Sequence, residues 1–117
     1  PIVSLADADT LFTLTTSFVS GPSDAGQVVA ALSDLDGDGT EDFAIGAPGA
    51  STTTIASVGK VFVYFGGGIL TGASNLQDAD LVIGGILMSD RAGTAIRSAG
   101  DADGDGLSDL LINYPAP

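Results

Sequence analysis

Nine residues, Asp34-Leu35-Asp36-Gly37-Asp38-Gly39-Thr40-Glu41-Asp42, return 67 positions later as Asp101-Ala102-Asp103-Gly104-Asp105-Gly106-Leu107-Ser108-Asp109. Carboxylates stand at loop positions 1, 3, 5 and 9 of both copies, with glycine at position 6. Two unit charges 4 Å apart repel by about 4 kcal/mol even at an effective dielectric of ~20. Four carboxylates folded into one such loop therefore need a cation to hold it closed.

Oxygen-only ligands select a hard cation, and a flexible shell of carboxylates plus a backbone carbonyl suits Ca²⁺ better than Mg²⁺. Two Ca²⁺ sites are expected. Asp34, Asp36, Asp38 and Asp42 would ligate the first by side chain, with the carbonyl of Thr40 at position 7. Asp101, Asp103, Asp105 and Asp109, with the carbonyl of Leu107, would ligate the second. Gly39 and Gly106 allow the bend that turns the ligands inward. Asp and Gly are also the ordinary material of surface turns, but a second copy in the same frame speaks for a ligand set. An EF-hand fails because position 12, where a bidentate Glu belongs, is Ile45 or Ile112, and because the flanks read as strands.

The rest of the composition narrows the class. With 44% apolar residues the 117-residue chain can bury a core, and 17 glycines beside many Thr, Ser and Ala argue against long helices. An all-β fold is expected. The formal charge is −12, and nine of the 15 acidic residues lie in the two loops, so two Ca²⁺ would bring it to −8. Such a surface repels nucleic acid and anionic lipid, which excludes both as partners. Without cysteine or histidine there is no disulfide, thiol, zinc or histidine-base chemistry. No apolar run approaches a membrane span, so no membrane insertion is expected. Weak Ca²⁺ loops work at the roughly 10⁻⁴–10⁻³ M found outside cells, which favours secretion or surface display. The start at Pro1 and the stop shortly after the second loop read as a piece of a longer chain.

The repeat extends beyond the acids: Ala25-Gly26 aligns with Ala92-Gly93, Val29 with Ile96, Phe43-Ala44-Ile45 with Leu110-Leu111-Ile112, and Pro48 with Pro115. Leu5-Ala6-Asp7-Ala8-Asp9 also matches Leu76-Gln77-Asp78-Ala79-Asp80. Apolar runs bounded by turn residues predict strands near 9–16, 26–33, 42–47, 59–66, 79–84, 93–100 and 109–114. The segments 47–59 and 66–79 read as connections. Lys60-Val61-Phe62-Val63-Tyr64-Phe65 is the clearest strand, apolar on both faces as in a sheet covered on both sides. Strand-built repeats of this length suggest propeller blades.

Gly46-Ala47-Pro48 after the first loop, then Gly59-Lys60-Val61-Phe62-Val63-Tyr64, together with D-x-D-x-D-G-x-x-D in both loops, resembles the FG-GAP repeat of the integrin alpha-subunit β-propeller and its bacterial relatives. The chain departs from that pattern where the naming Phe-Gly is Ala25-Gly26 and Ala92-Gly93, and where Gly-Ala-Pro becomes Asn113-Tyr114-Pro115. The resemblance implies a division into 1–24, the outer strand of a preceding blade; 25–85, a complete blade with its Ca²⁺ loop at 34–42; and 86–117, the first half of the next blade with its loop at 101–109. It also implies a non-enzymatic, Ca²⁺-binding platform for adhesion or for protein or glycan recognition. Its partners would be the rest of the parent propeller or copies of the chain itself. Ligands would bind opposite the Ca²⁺ loops, at connections 47–58 and 85–92, which read as short-side-chain stretches.

Other candidates are weaker. Arg97 on an inner strand could bind an anion, though such an arginine usually pairs with a nearby Asp. Lys60 reads as solvated. Asp7, Asp9, Asp78 and Asp80 could pass for a glycosidase pair, but they recur at strand starts without a sugar-binding aromatic platform. Tyr64 and the phenylalanines at 43, 62 and 65 read as core. Two other functions stay open: the accessory propeller of a larger secreted hydrolase, and a self-associating ring or filament subunit.

Overall fold

The computed structural model describes residues 10–13, 24–67 and 72–115, and the fold over them is all β. Among the described residues eight strands occur: β1 (Thr10–Thr13), β2 (Val28–Leu32), β3 (Asp42–Ala47), β4 (Lys60–Tyr64), β5 (Gly72–Asn75), β6 (Leu81–Gly84), β7 (Ala95–Gly100) and β8 (Asp109–Asn113). Asp7 and Asp9, and residues 14–16 of the first expected strand, lie outside the described residues.

β2, β3, β4 and β6 form one antiparallel sheet in that spatial order, and β7 and β8 pair as a separate antiparallel ribbon. This four-stranded antiparallel meander has the strand order expected of a blade, and the ribbon repeats its first two strands. The register, with Val29↔Ile45, Phe43↔Tyr64 and Ile45↔Phe62, gives the sheet two apolar faces. On one face Ile45, Ala47, Phe62 and Tyr64 pack with Ala50 and Leu76, and the Phe43 ring stacks on Tyr64 at 5.0 Å. On the other, Leu32, Ala44, Val61 and Val63 pack on Ile96, with Leu110 and Ile112 at the margin. β4 is thus buried on both faces, as its unbroken apolar run requires.

The segment 66–79 is not a bare connection. It holds β5, which pairs in parallel with β1 (Thr10↔Gly72 to Thr13↔Asn75), and a 3₁₀ turn, Leu76–Asp78. Gly-Ala-Ser-Asn carries no β-branched or aromatic signal, so only the partner strand makes it a strand. The strand expected from 79 begins at Leu81; just before it the Asp80 amide donates to the Val63 carbonyl at 2.9 Å and the Asp80 carboxylate accepts the Phe65 amide at 2.7 Å.

The meander sorts the connections by end. Both acidic loops and the turn after β4 lie at one end, while the β3–β4 and β6–β7 connections lie at the other. The latter two are stitched by amides of Ser89, Arg91 and Ala92 donating to the carbonyls of Ala56, Ser57 and Val58 at 3.0–3.1 Å.

Candidate metal centre

Each acidic loop is wound around its first aspartate. In the first loop the amides of Gly37 and Asp38 donate to Asp34 Oδ1 (2.6 and 3.1 Å) and that of Gly39 to Asp34 Oδ2 (2.9 Å). In the second, Gly104 and Asp105 donate to Asp101 Oδ1 (2.8 and 3.0 Å) and Gly106 to Asp101 Oδ2 (2.9 Å). Converging amides demand a tight coil, and Gly39 and Gly106 meet it with φ of 88° and 91°, in the left-handed region. The glycines at position 4, Gly37 and Gly104, are left-handed too, a second requirement that the reading of position 6 alone missed.

The coil brings three carboxylates of each loop together. One oxygen from each of Asp34, Asp36 and Asp42 lies within 4.8 Å of the others, and the same holds for Asp101, Asp103 and Asp109. Asp38 and Asp105 are not in these trios. Asp38 Oδ1 accepts the amide and the hydroxyl of Thr40, and Asp105 Oδ1 accepts the Leu107 amide. The position 7 residues thus hold the position 5 carboxylates.

The closing aspartates differ in setting. Asp42 is 1% exposed; its Oδ2 accepts the Leu35 amide (2.6 Å) and its Oδ1 the Gly66 amide (2.7 Å) from the turn after β4. Gly66 runs so close that an added Cβ would lie 2.1 Å from the Glu41 carbonyl oxygen. Asp109 accepts the Ala102 and Asp103 amides (2.7 and 3.2 Å) and is only half-buried. The two loops also touch: the Ser108 amide donates to the Asp34 carbonyl at 3.0 Å.

Crowding shows in the acidities. Desolvation pushes the Asp36 carboxyl up, with repulsion from Asp38 and Asp42 adding to it against the Asp38 amide's hydrogen bond. At Asp103 the Asp105 amide pulls the acidity down, but desolvation and repulsion from Asp105 and Asp109 together outweigh it and the carboxyl is raised. The Thr40 hydroxyl and then its amide hold Asp38 low, and the Gly106 amide, helped by those of Gly104 and Asp105, holds Asp101 low. Position 3 is therefore where negative charge is least compensated. The donor set fits a hard cation, because every group in each trio is a carboxylate oxygen and the amides at hand are engaged in winding the loop.

The remaining candidates fall into structural places. Arg97 donates to its neighbour's carbonyl, Ile96 O, at 2.7 Å, while Arg91 pairs loosely with Asp24 at 3.8 Å. Lys60 is half-buried, Asp78 sits in the 3₁₀ turn, and Asp80 holds the Phe65 amide. The connection 85–92 is not made of short side chains: Ile86, Leu87 and Met88 are exposed there, 78% in the case of Ile86. Three consecutive large apolar residues after Gly84-Gly85 were the available signal. Among the described residues no helix is long and apolar enough to cross a membrane.

The chain is similar in sequence to known proteins over most of its length. The FG-GAP repeat family model matches residues 21–64, which include the first loop and end on β4. Integrin alpha-4 of Xenopus laevis is 36% identical over 106 residues, covering 87% of this chain and 10% of the relative. Phosphatidylinositol-glycan-specific phospholipase D of Rattus norvegicus is 34% identical over 96 residues, 77% of this chain and 10% of the relative. Integrin alpha-IIb of Homo sapiens is 32% identical over 89 residues, 73% and 8% respectively. The chain spans about a tenth of the length of the curated relatives it matches.

Proposed function

Because the chain belongs to the FG-GAP repeat family of integrin alpha-like β-propellers, we propose that it is a Ca²⁺-stabilised propeller segment of a secreted or cell-surface protein, acting as a structural, adhesive or ligand-recognition module and not as an enzyme. Residues 25–85 are the complete blade, 86–117 open the next, and 1–24 belong to the one before. The rest of the parent propeller is the first partner, with a protein or glycan ligand at the end opposite the loops.

The observation that carries this reading is the paired trio of converging carboxylates. Asp34, Asp36 and Asp42 would hold one Ca²⁺, and Asp101, Asp103 and Asp109 the other. Asp38 and Asp105, with the carbonyls of Thr40 and Leu107, would fill out shells of the six to eight oxygens that Ca²⁺ takes. Bound there, the ion supplies positive charge that cancels the repulsion and cross-links a loop to the strands on either side. A catalytic metal needs an acid or base beside an open position, and the sequence has no histidine. The role is therefore structural.

Thermal melting with excess Ca²⁺ and with chelator tests the proposal. Saturation at ~100 times Kd adds about 2.7 kcal/mol per site. The midpoint should rise with Ca²⁺ and the rise should vanish in the Asp36→Ala, Asp103→Ala double variant, whereas equal midpoints in both buffers would refute it. The likeness to the phospholipase D favours a second reading, an accessory propeller of a larger secreted hydrolase, which the full-length reading frame decides.

A further inference from the structure

The contact between the two acidic loops is made by groups that each loop also uses to arrange its ligands. The Ser108 amide donates to the Asp34 carbonyl at 3.0 Å, and the Leu35 amide, at the other end of that same peptide group, donates to Asp42 Oδ2 at 2.6 Å. Ser108 N–H in turn shares its peptide group with the Leu107 carbonyl, the backbone oxygen assigned to the second shell. A trans peptide group is planar, so its C=O and N–H point in opposite directions. Two peptide groups and two hydrogen bonds therefore run end to end from the Leu107 carbonyl of the second loop to the closing aspartate of the first.

Side chains brace the same contact. An added Cβ at Gly37 would lie 2.9 Å from Leu107 Cδ2, so the position 7 side chain of the second loop rests on position 4 of the first. Ser98 Oγ lies 3.5 Å from Ser33 Oγ and 3.0 Å from Ser108 Oγ, which links the residue before Asp34 with the residue before Asp109. Behind the loops Leu32 and Ile96 are buried in one cluster, which ties β2 to β7. Asp34 and Asp101, around which the loops are wound, line one cleft of about 260 Å³.

We propose that the two loops are one coupled cation-binding unit, in which occupancy of either raises the affinity of the other through the Leu107–Ser108 and Asp34–Leu35 peptide groups. This inference rests on the reading that the loops hold Ca²⁺. With its carbonyl held by a cation, the Leu107–Ser108 peptide group becomes a stronger donor to the Asp34 carbonyl, and Leu35 N–H in turn holds Asp42 more firmly. Hydrogen bonds in a chain polarise one another in this way. Charge opposes the effect, because a loaded loop attracts a second cation less than an empty one. Each loop carries at least four carboxylates, however, and stays net negative when loaded. The field between exposed charges is also screened over about 8 Å at physiological ionic strength, whereas the peptide contact is not. The coupling is therefore positive, and it grows as salt is raised.

The test is Ca²⁺ titration of the isotopically labelled chain, followed by NMR at each loop, in wild type, Asp36→Ala and Asp103→Ala at two salt concentrations. Each single variant gives the intrinsic affinity of the loop it keeps. With those constants fixed, the wild-type titration should return a coupling factor of about five, the same from either loop because coupling is reciprocal. In Asp36→Ala, loading the second loop should move the Ser108 and Leu35 amide protons downfield. The Gly66 amide, which holds the other Asp42 oxygen from outside the relay, should stay nearly in place. An ester in place of the 107–108 amide removes the Ser108 donor and should bring the factor to about one. A factor of one or less in the wild type, an unchanged factor in the ester, or Leu35 and Gly66 moving together would overturn the proposal. Two ions bound independently overturn the coupling alone, and a folded chain that binds no Ca²⁺ overturns the coupling and the reading beneath it.

Discussion

Asp42 should matter to the fold even when no metal is bound, and that separates it from the other carboxylates of its loop. Its two oxygens hold two amides from different parts of the chain, Leu35 within the loop and Gly66 after β4, at 2.6 and 2.7 Å, and the residue is 1% exposed. Hydrogen bonds to a charged acceptor contribute about 1.5–3 kcal/mol each. Asp42→Ala removes both and leaves two amides facing a void, so a loss of about 3 kcal/mol is expected, or roughly 10 °C in Tm for a domain of this size. Asp42→Asn keeps one acceptor and should lose about half as much. Asp36 is exposed, accepts a single amide, that of Asp38 at 3.1 Å, and is repelled by Asp38 and Asp42, so Asp36→Ala should leave the chelator-treated protein no less stable. Urea unfolding in chelator, followed by circular dichroism, measures all three. If Asp42→Ala and Asp36→Ala shift the midpoint equally, Asp42 is a ligand and nothing more, and the reasoning is wrong.

Burial, with the charges of Asp78 and Asp80 adding, pushes the Tyr64 phenol up from 10.0 to about 12. A raised folded-state pKa means that this contribution to stability is intact below pH ~10 and is lost as pH rises toward 12. In a Tyr114→Phe background, phenolate absorbance should therefore appear only near pH 12 and together with unfolding; titration near 10 with the fold intact would contradict the packing. Gly66→Ala drives a Cβ to within 2.1 Å of the Glu41 carbonyl, so it should weaken Ca²⁺ binding at the first loop and spare the second, which terbium luminescence of each single-loop variant can resolve. With sheet edges unpaired among the described residues and Val29 and Leu111 exposed, the isolated chain should associate at micromolar concentration. Sedimentation that shows a sharp, cooperatively unfolding monomer would rule that out.

The parts legible in the sequence were those with a strong local signal. The duplicated aspartate spacing marked the loops, and the doubly apolar run Lys60–Tyr64 marked the strand buried on both faces. β5 was not legible, because Gly-Ala-Ser-Asn becomes a strand only by pairing with β1, a partner about sixty residues away in the chain. Spacing treated positions 1, 3, 5 and 9 alike. In the folded loop, the Thr40 hydroxyl and amide hold Asp38 outside the trio, and the amide of Gly66, 24 residues downstream, buries Asp42 where Asp109 stays half open. Which carboxylates converge depends on backbone donors that a one-dimensional motif does not encode.

Equilibrium dialysis against labelled Ca²⁺ at neutral pH tests the central claim most directly, with the wild-type chain beside Asp36→Ala, Asp103→Ala and the double variant. The account predicts two ions bound per chain, one in each single variant and none in the double variant, with Mg²⁺ a poor competitor. Binding of no ion by the folded wild-type chain, or two ions retained by the double variant, would contradict it.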